Sequence, residues 1–273
     1  MTSPATTTST HNVPLDGIGI VQVTLSDRGE GQPFLLLHGG GGPLTVNGFA
    51  DLLAAERHAR VITPTHPGFA GTPRLHSLTS IRGLAALYSA LLVELDLTDV
   101  TVVGNSMGGW VAAEMALLVT TRIRCFVIVD AVGIDVPGHP IADFFSLTPR
   151  LVAELSYHDP DRFGIDPTKL PDEAQRLMAG NRATLAVYSG TSMNDTSLAT
   201  RLANVTTPTL VLWGDSDRIA DADYGRAYAD AISGAQFQLL HKTGHLPQIE
   251  TPGQLLDAIA VFADSHAARS RTA

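Results

Sequence analysis

"VVGNSMGGW", residues 102–110, sets one serine among glycines where an apolar run turns into a helical one. G-x-S-x-G between a strand and a helix marks a turn too tight for side chains on its flanks. Gly104 and Gly108 lack β-carbons, so strand and helix can approach closely there. Ser106 then projects its hydroxyl at the carboxyl end of the sheet, and the positive end of the next helix faces any negative charge that develops. The competing reading of the same glycines is an ordinary surface turn.

On either side of this turn, short β-like runs alternate with helical ones. Strands are expected at 19–26, 33–39, 59–65, 99–104 and 125–131, separated by helical stretches such as "SIRGLAALYSALLVEL". Nearly all of these runs are continuously apolar, as in strands covered on both faces of a mostly parallel sheet. From 134 to 204 no strand is expected, while "IADFFSL", "PRLVAELSYH" and "DEAQRLMAGNRATLAVYSG" have helical character with Pro and Gly at their ends. The β rhythm resumes at 207–214 and again at "AQFQLLH", and a last helix follows over 252–264. The expected fold is therefore α/β: a core over 15–133 and 205–265, a helical insertion at 134–204, and flexible tails at 1–14 and 266–273.

Composition narrows the function. Hydrophobic residues make up 44% and charged residues 16%, as in a soluble globular protein. A net charge of −9 with no Lys/Arg cluster argues against a nucleic-acid partner. The single cysteine, Cys125 in "RCFVIVD", rules out an internal disulfide and reads as a buried thiol. No apolar stretch is long enough to span a membrane, and the N-terminus lacks signal-peptide character, so a cytoplasmic location is expected. No metal-ligand spacing stands out, so no metal and no cofactor is expected. The expected partner is a small-molecule substrate, and a homodimer is compatible with the sequence.

A serine hydroxyl needs a base. Among ten histidines, His245 stands out because it lies on the loop between the last strand and the last helix, at the same sheet edge as Ser106. His241, at the end of that strand, competes with it. His38 is expected to shape its loop, while His66 and His76, in a Pro- and Gly-rich stretch, are read as solvated. The base in turn needs a carboxylate. "LVLWGDSDRIAD" offers Asp217, placed to reach the final loop, and Asp215, better suited to stabilising its own turn. Asp130, at another strand end, is the alternative acid. For an oxyanion, the amide of Met107 pairs with one from "LLLHGGGGP", Gly40 first and Gly41 in reserve. Asn47, Trp110 and Arg182 are the candidate substrate contacts. Phe144, Phe145, Phe163, Met178, Tyr188 and Met193 are expected mainly to pack the insertion, with some of them facing an apolar pocket.

With "HGGGGP", "HPGFAGTP", "GNSMGG", "LVLWGDSD" and "GHLPQIETP" in that order, the chain resembles the α/β-hydrolase superfamily over about residues 15–264. The resemblance implies a Ser106–His245–Asp217 triad and an insertion that serves as a cap. Serine at the turn separates it from dehalogenases and epoxide hydrolases, which carry aspartate there. It looks most like the branch of carboxylesterases and of hydrolases that cleave carbon–carbon bonds in meta-cleavage products. Two departures set it apart from the carbon–carbon group: Leu246 replaces the tryptophan usual after the histidine, and Pro43-Leu44 replaces Pro-Gly. The expected activity is hydrolysis of a small, largely apolar carboxylic ester through an acyl-enzyme, with carbon–carbon hydrolysis as the alternative. A ligand-binding or signalling protein on the same scaffold is the rival of another class.

Overall fold

The computed structural model describes residues 5–267. Eight strands form one sheet: β1 (Thr6–Leu15), β2 (Gly19–Arg28), β3 (Gln32–Leu37), β4 (Ala59–Pro64), β5 (Val100–Asn105), β6 (Ile123–Val129), β7 (Thr209–Gly214) and β8 (Gln236–Leu240). Their order is β1-β2-β4-β3-β5-β6-β7-β8, and every pairing from β4 to β8 is parallel. The helices are α1 (Leu44–Arg57), α2 (Ile81–Glu94), α3 (Met107–Ala116), α4 (Pro149–Ser156), α5 (Pro160–Phe163), α6 (Asp172–Ser189), α7 (Leu198–Leu202), α8 (Ala222–Asp230), α9 (Pro247–Glu250) and α10 (Pro252–Ala267).

Strand periodicity explains the continuous apolar runs. Leu35, Leu37, Val102, Ile128 and Val211 enter one core with residues of α2, α3 and α8. Their alternate neighbours Phe34, Leu36, Val103, Val127 and Leu212 enter a second core with residues of α1 and α10. Both faces are covered, so apolar residues fill both sides of the middle strands, and the buried Thr101 of β5 is accommodated by pairing its hydroxyl with the Cys125 thiol. Cys125 is buried in the second core, and that burial raises its thiol pKa.

The N-terminal segment departs from the expectation of a flexible tail up to residue 14. Residues 6–15 pair along their length with β2 as an antiparallel hairpin, turning at Gly17 with φ 73°. Its side chains are mostly exposed, so it carries no apolar alternation beyond the fully buried Val13. The Thr-rich run supplies β propensity instead, and Pro14 is tolerated because the strand lies at the sheet edge. At the other end α10 continues to Ala267, and residues 268–273 of the expected C-terminal tail lie outside the described residues.

Between β6 and β7 the sheet is interrupted by the helical cap containing α4 to α7. "IADFFSL" forms only a single 3-10 turn, Phe144–Ser146, instead of a helix. Pro149 forces Thr148 into extended backbone, where its hydroxyl caps α4. No helix among the described residues is long and apolar enough to cross a membrane.

Candidate active site

Ser106 joins β5 to α3 with φ 56° and ψ −119°, a conformation that costs free energy for a residue with a side chain. The flanking glycines make that turn possible. A β-carbon on Gly104 would strike the Gly108 carbonyl, and one on Gly108 would lie 2.7 Å from the His38 carbonyl oxygen. One on Gly109 would meet the Ala131 side chain at 2.6 Å. The glycines are therefore clearance for an enforced geometry, which the surface-turn reading does not require. Hydrogen bonds from the Ser106 amide to Val129 and from the Trp110 amide to the Ser106 carbonyl hold the turn, at 3.0 and 3.1 Å.

Two further loops converge on the hydroxyl. The Asp217 carboxylate accepts from His245 Nδ1 at 2.8 Å, which fixes the proton on that nitrogen. Nε2 is then the acceptor, and Ser106 Oγ donates to it at 2.9 Å. The Asp217 side chain is fully buried and His245 nearly so. Asp217 is oriented by the amides of Ile219 and Ala220, at 2.8 and 3.3 Å from Oδ1. The competitors named from sequence go elsewhere: His241 pairs with Asp215 at 3.3 Å, its side chain 83% exposed.

The β3–α1 loop supplies the remaining groups. Among the described residues, the amides of Met107 and Gly40 make no hydrogen bond, so both are unspent donors, one in each of the two segments that meet at Ser106. Gly39 fixes the spacing, since a β-carbon on it would sit 3.0 Å from the Ser106 β-carbon. Gly40 is half-buried beneath Leu185 of α6, while Gly41 is exposed. The loop is held from below by two histidines. His38 donates through Nδ1 to the Gly39 carbonyl at 2.7 Å, and its Nε2 accepts from the His66 amide at 3.1 Å. His66 donates through Nε2 to the His38 carbonyl at 2.8 Å and accepts at Nδ1 from Tyr88 at 2.5 Å. Both rings are fully buried, so His66 is not the solvated residue its Pro- and Gly-rich surroundings suggest. Burial holds the His38 pKa well below the usual histidine range and lowers that of His66 to about 4.

The cap closes both sides of the site. Asn181 of α6 donates to the Gly41 carbonyl at 3.1 Å and accepts from the Ala70 amide at 2.8 Å. Tyr188 donates to the Pro67 carbonyl at 2.9 Å. At the opposite side the Ser156 carbonyl accepts the His245 amide at 2.7 Å, and the Leu155 carbonyl accepts the Arg218 amide at 3.0 Å. Glu250 draws in three more amides, those of Asp159, His158 and Gly244, at 2.9, 3.1 and 2.7 Å. The loop bearing His245 is therefore docked directly on cap backbone.

Three sequence candidates have other engagements. Asn47 bonds to Arg28 at 3.5 Å. Trp110 is buried one turn beyond Ser106, with its indole packed against Gly133. Arg182 donates to the carbonyls of Phe144 and Leu147, at 2.7 and 3.3 Å, with its guanidinium 4.7 Å from the Phe144 ring centre. Of the insertion's apolar residues, Tyr188 and Met193 are buried, Phe163 stacks on Tyr157, and Met178 is exposed. Sequence reasoning missed Asn105, Gln248 and Glu250. Asn105 donates to the His245 carbonyl at 2.9 Å and accepts from Gln248 at 3.0 Å. Its place beside the serine in "GNSMG" was the available signal.

Residues 34–258 match the family described as Alpha/beta hydrolase family. A 2-hydroxy-6-oxo-2,4-heptadienoate hydrolase from Pseudomonas putida is 28% identical over 85% of this chain and 89% of its own. A 2-hydroxy-6-oxo-6-(2'-aminophenyl)hexa-2,4-dienoic acid hydrolase from Metapseudomonas resinovorans is 26% identical over 93% of this chain and 92% of its own. Among solved structures, a thermophilic esterase from Thermogutta terrifontis superposes with a TM-score of 0.76 at 23% identity, over 94% of this chain and 99% of that one.

Proposed function

The chain belongs to the alpha/beta hydrolase family, with serine at the nucleophile position, and from that premise we propose that it hydrolyses an activated carbonyl through a Ser106–His245–Asp217 triad. The observation that carries this reading is the unbroken hydrogen-bonded chain from Asp217 through His245 to a strained Ser106. Ser106 Oγ attacks the carbonyl carbon as His245 Nε2 takes its proton, and Asp217 stabilises the imidazolium. The Met107 and Gly40 amides receive the oxyanion. His245 then returns its proton to the leaving atom, and a water activated by the same nitrogen releases the acyl group.

The finer reading is carbon–carbon hydrolysis of a vinylogous keto acid. The relatives with 2-hydroxy-6-oxo-dienoate names support it above the ester reading favoured by sequence. The dienol first tautomerises to its keto form, its enol proton ending on the carbon beside the attacked carbonyl and making that carbon sp3, and the bond between the two carbons then breaks. The electron pair stays on that carbon as a delocalised carbanion, which the His245 proton quenches. Water supplies hydroxyl to the acyl fragment, so atoms balance without a redox partner. The ester reading stays as the second, supported by Leu246 after the histidine and by the likeness to an esterase.

Purified protein assayed with 2-hydroxy-6-oxohepta-2,4-dienoate and with p-nitrophenyl butyrate separates the two. The expected result is bleaching of the dienoate chromophore with a kcat/KM above that for the ester, lost in Ser106→Ala. Ester turnover with no dienoate cleavage overturns the carbon–carbon reading. Tight binding of these compounds without turnover of either moves the protein to the ligand-binding class.

A further inference from the structure

Asp130 directly follows β6, at the sheet edge that also carries Ser106 and Asp217. It is fully buried, and its φ of 43° lies in the left-handed region that aspartate tolerates better than most residues. Its amide donates to the Leu212 carbonyl at 3.0 Å, and Oδ1 accepts from the Gly214 amide at 2.8 Å. Oδ2 is buried and faces no N–H or hydroxyl donor among the described residues. Asp217 sits on the same turn, its amide donating to the carbonyl of that Gly214 at 3.2 Å, and it is the carboxylate acting most strongly on Asp130; the other charged group acting on it is Glu250, also acidic.

Two contacting carboxylates with no cation to divide between them cannot both ionise in a dry site. The donor count decides which one holds the charge. Asp217 receives two amides at Oδ1 and the His245 ring at Oδ2, whereas Asp130 receives one amide. We propose that Asp130 is a neutral carboxylic acid whose Oδ2–H donates to the Asp217 carboxylate, making it a positioning residue that acts on the reaction through Asp217. The arrangement satisfies the one unpartnered oxygen and gives Asp217 a fourth donor. It also keeps a single negative charge behind the His245 ring. Burial first, and the Asp217 charge second, raise Asp130 well above the ordinary carboxylate range, as this arrangement needs.

The catalytic part of the inference rests on the triad reading above; the location of the proton does not. Asp130→Leu removes both hydrogen bonds, and kcat is expected to fall roughly tenfold or more. Asp130→Asn reproduces the neutral acid's acceptor and donor, so it recovers most of that loss and leaves the acid limb of the pH–rate profile in place. An infrared difference spectrum, wild type minus Asp130→Asn at pH 8 without ligand, is expected to contain the carbonyl stretch of a protonated carboxylic acid that shifts in D2O. If the variants do not fold, carboxyl-labelled aspartate in the wild type reads the same proton by NMR, as one carboxyl at the neutral-acid shift. Absence of both the infrared band and the neutral-acid signal overturns the proposal. So does Asp130→Asn with no more activity than Asp130→Leu. A band that persists in a protein with unreactive Ser106 overturns the triad reading and leaves the protonation intact.

Discussion

Lowering the pH should unfold this protein through the floor of its β3–α1 loop, and His66 sets the size of the effect. In the unfolded chain a histidine takes up its proton near pH 6.5, whereas burial lowers the folded-state value for His66 to about 4. Between those values the unfolded state binds more protons, so stability falls as the pH drops through that window. A gap of about 2.5 pH units at 1.36 kcal/mol each gives about 3 kcal/mol lost by pH 4 from this ring alone. His38 shifts in the same direction and adds to the loss. Urea unfolding at a series of pH values measures this directly. His66→Gln should be less stable than wild type at neutral pH, because the bonds to Tyr88 and the His38 carbonyl are disturbed. Its stability should nevertheless change less between pH 7 and 4, by about 3 kcal/mol. Equal pH dependence in the two proteins would refute a neutral, buried His66.

Three other perturbations probe the supports of the site. Gly108→Ala puts a β-carbon 2.7 Å from the His38 carbonyl, so the turn must shift, and kcat should fall about 100-fold or more while a stable core survives by circular dichroism. Asn105→Ala frees the His245 carbonyl and leaves Gln248 without its acceptor; stopped-flow acylation should slow about tenfold, the equivalent of one hydrogen bond. Glu250→Gln weakens the grip on the Gly244, His158 and Asp159 amides, and should cost about 1–3 kcal/mol in urea unfolding and loosen hydrogen exchange at the α4–α5 junction.

The parallel core was legible because burial on both faces leaves no alternative to continuous apolar strands, and Leu35/Phe34 or Val102/Val103 divide between the two cores as period-2 geometry requires. β1 was not legible, since its pairing is made by backbone and its side chains face water. Ser106, His245 and Asp217 could be read because each lies just past a strand of the same sheet edge, so order along the chain maps to proximity. The fate of Asn47 and Arg182 could not, because it depends on long-range partners, Arg28 for one and the carbonyls of Phe144 and Leu147 for the other. His66 was misread for a related reason: neighbouring prolines and glycines signal a loop, but say nothing of the His38 and Tyr88 rings that enclose it. The cap contacts of His245 through Ser156 and Glu250 likewise link segments far apart in sequence.

An activated Ser106 nucleophile must react covalently with a fluorophosphonate. Intact-mass and peptide analysis should find one adduct per chain on Ser106, absent in Ser106→Ala and formed far more slowly in His245→Ala. Folded wild type that takes up no label, or takes it up on another residue, would mean that Ser106 is not an activated nucleophile.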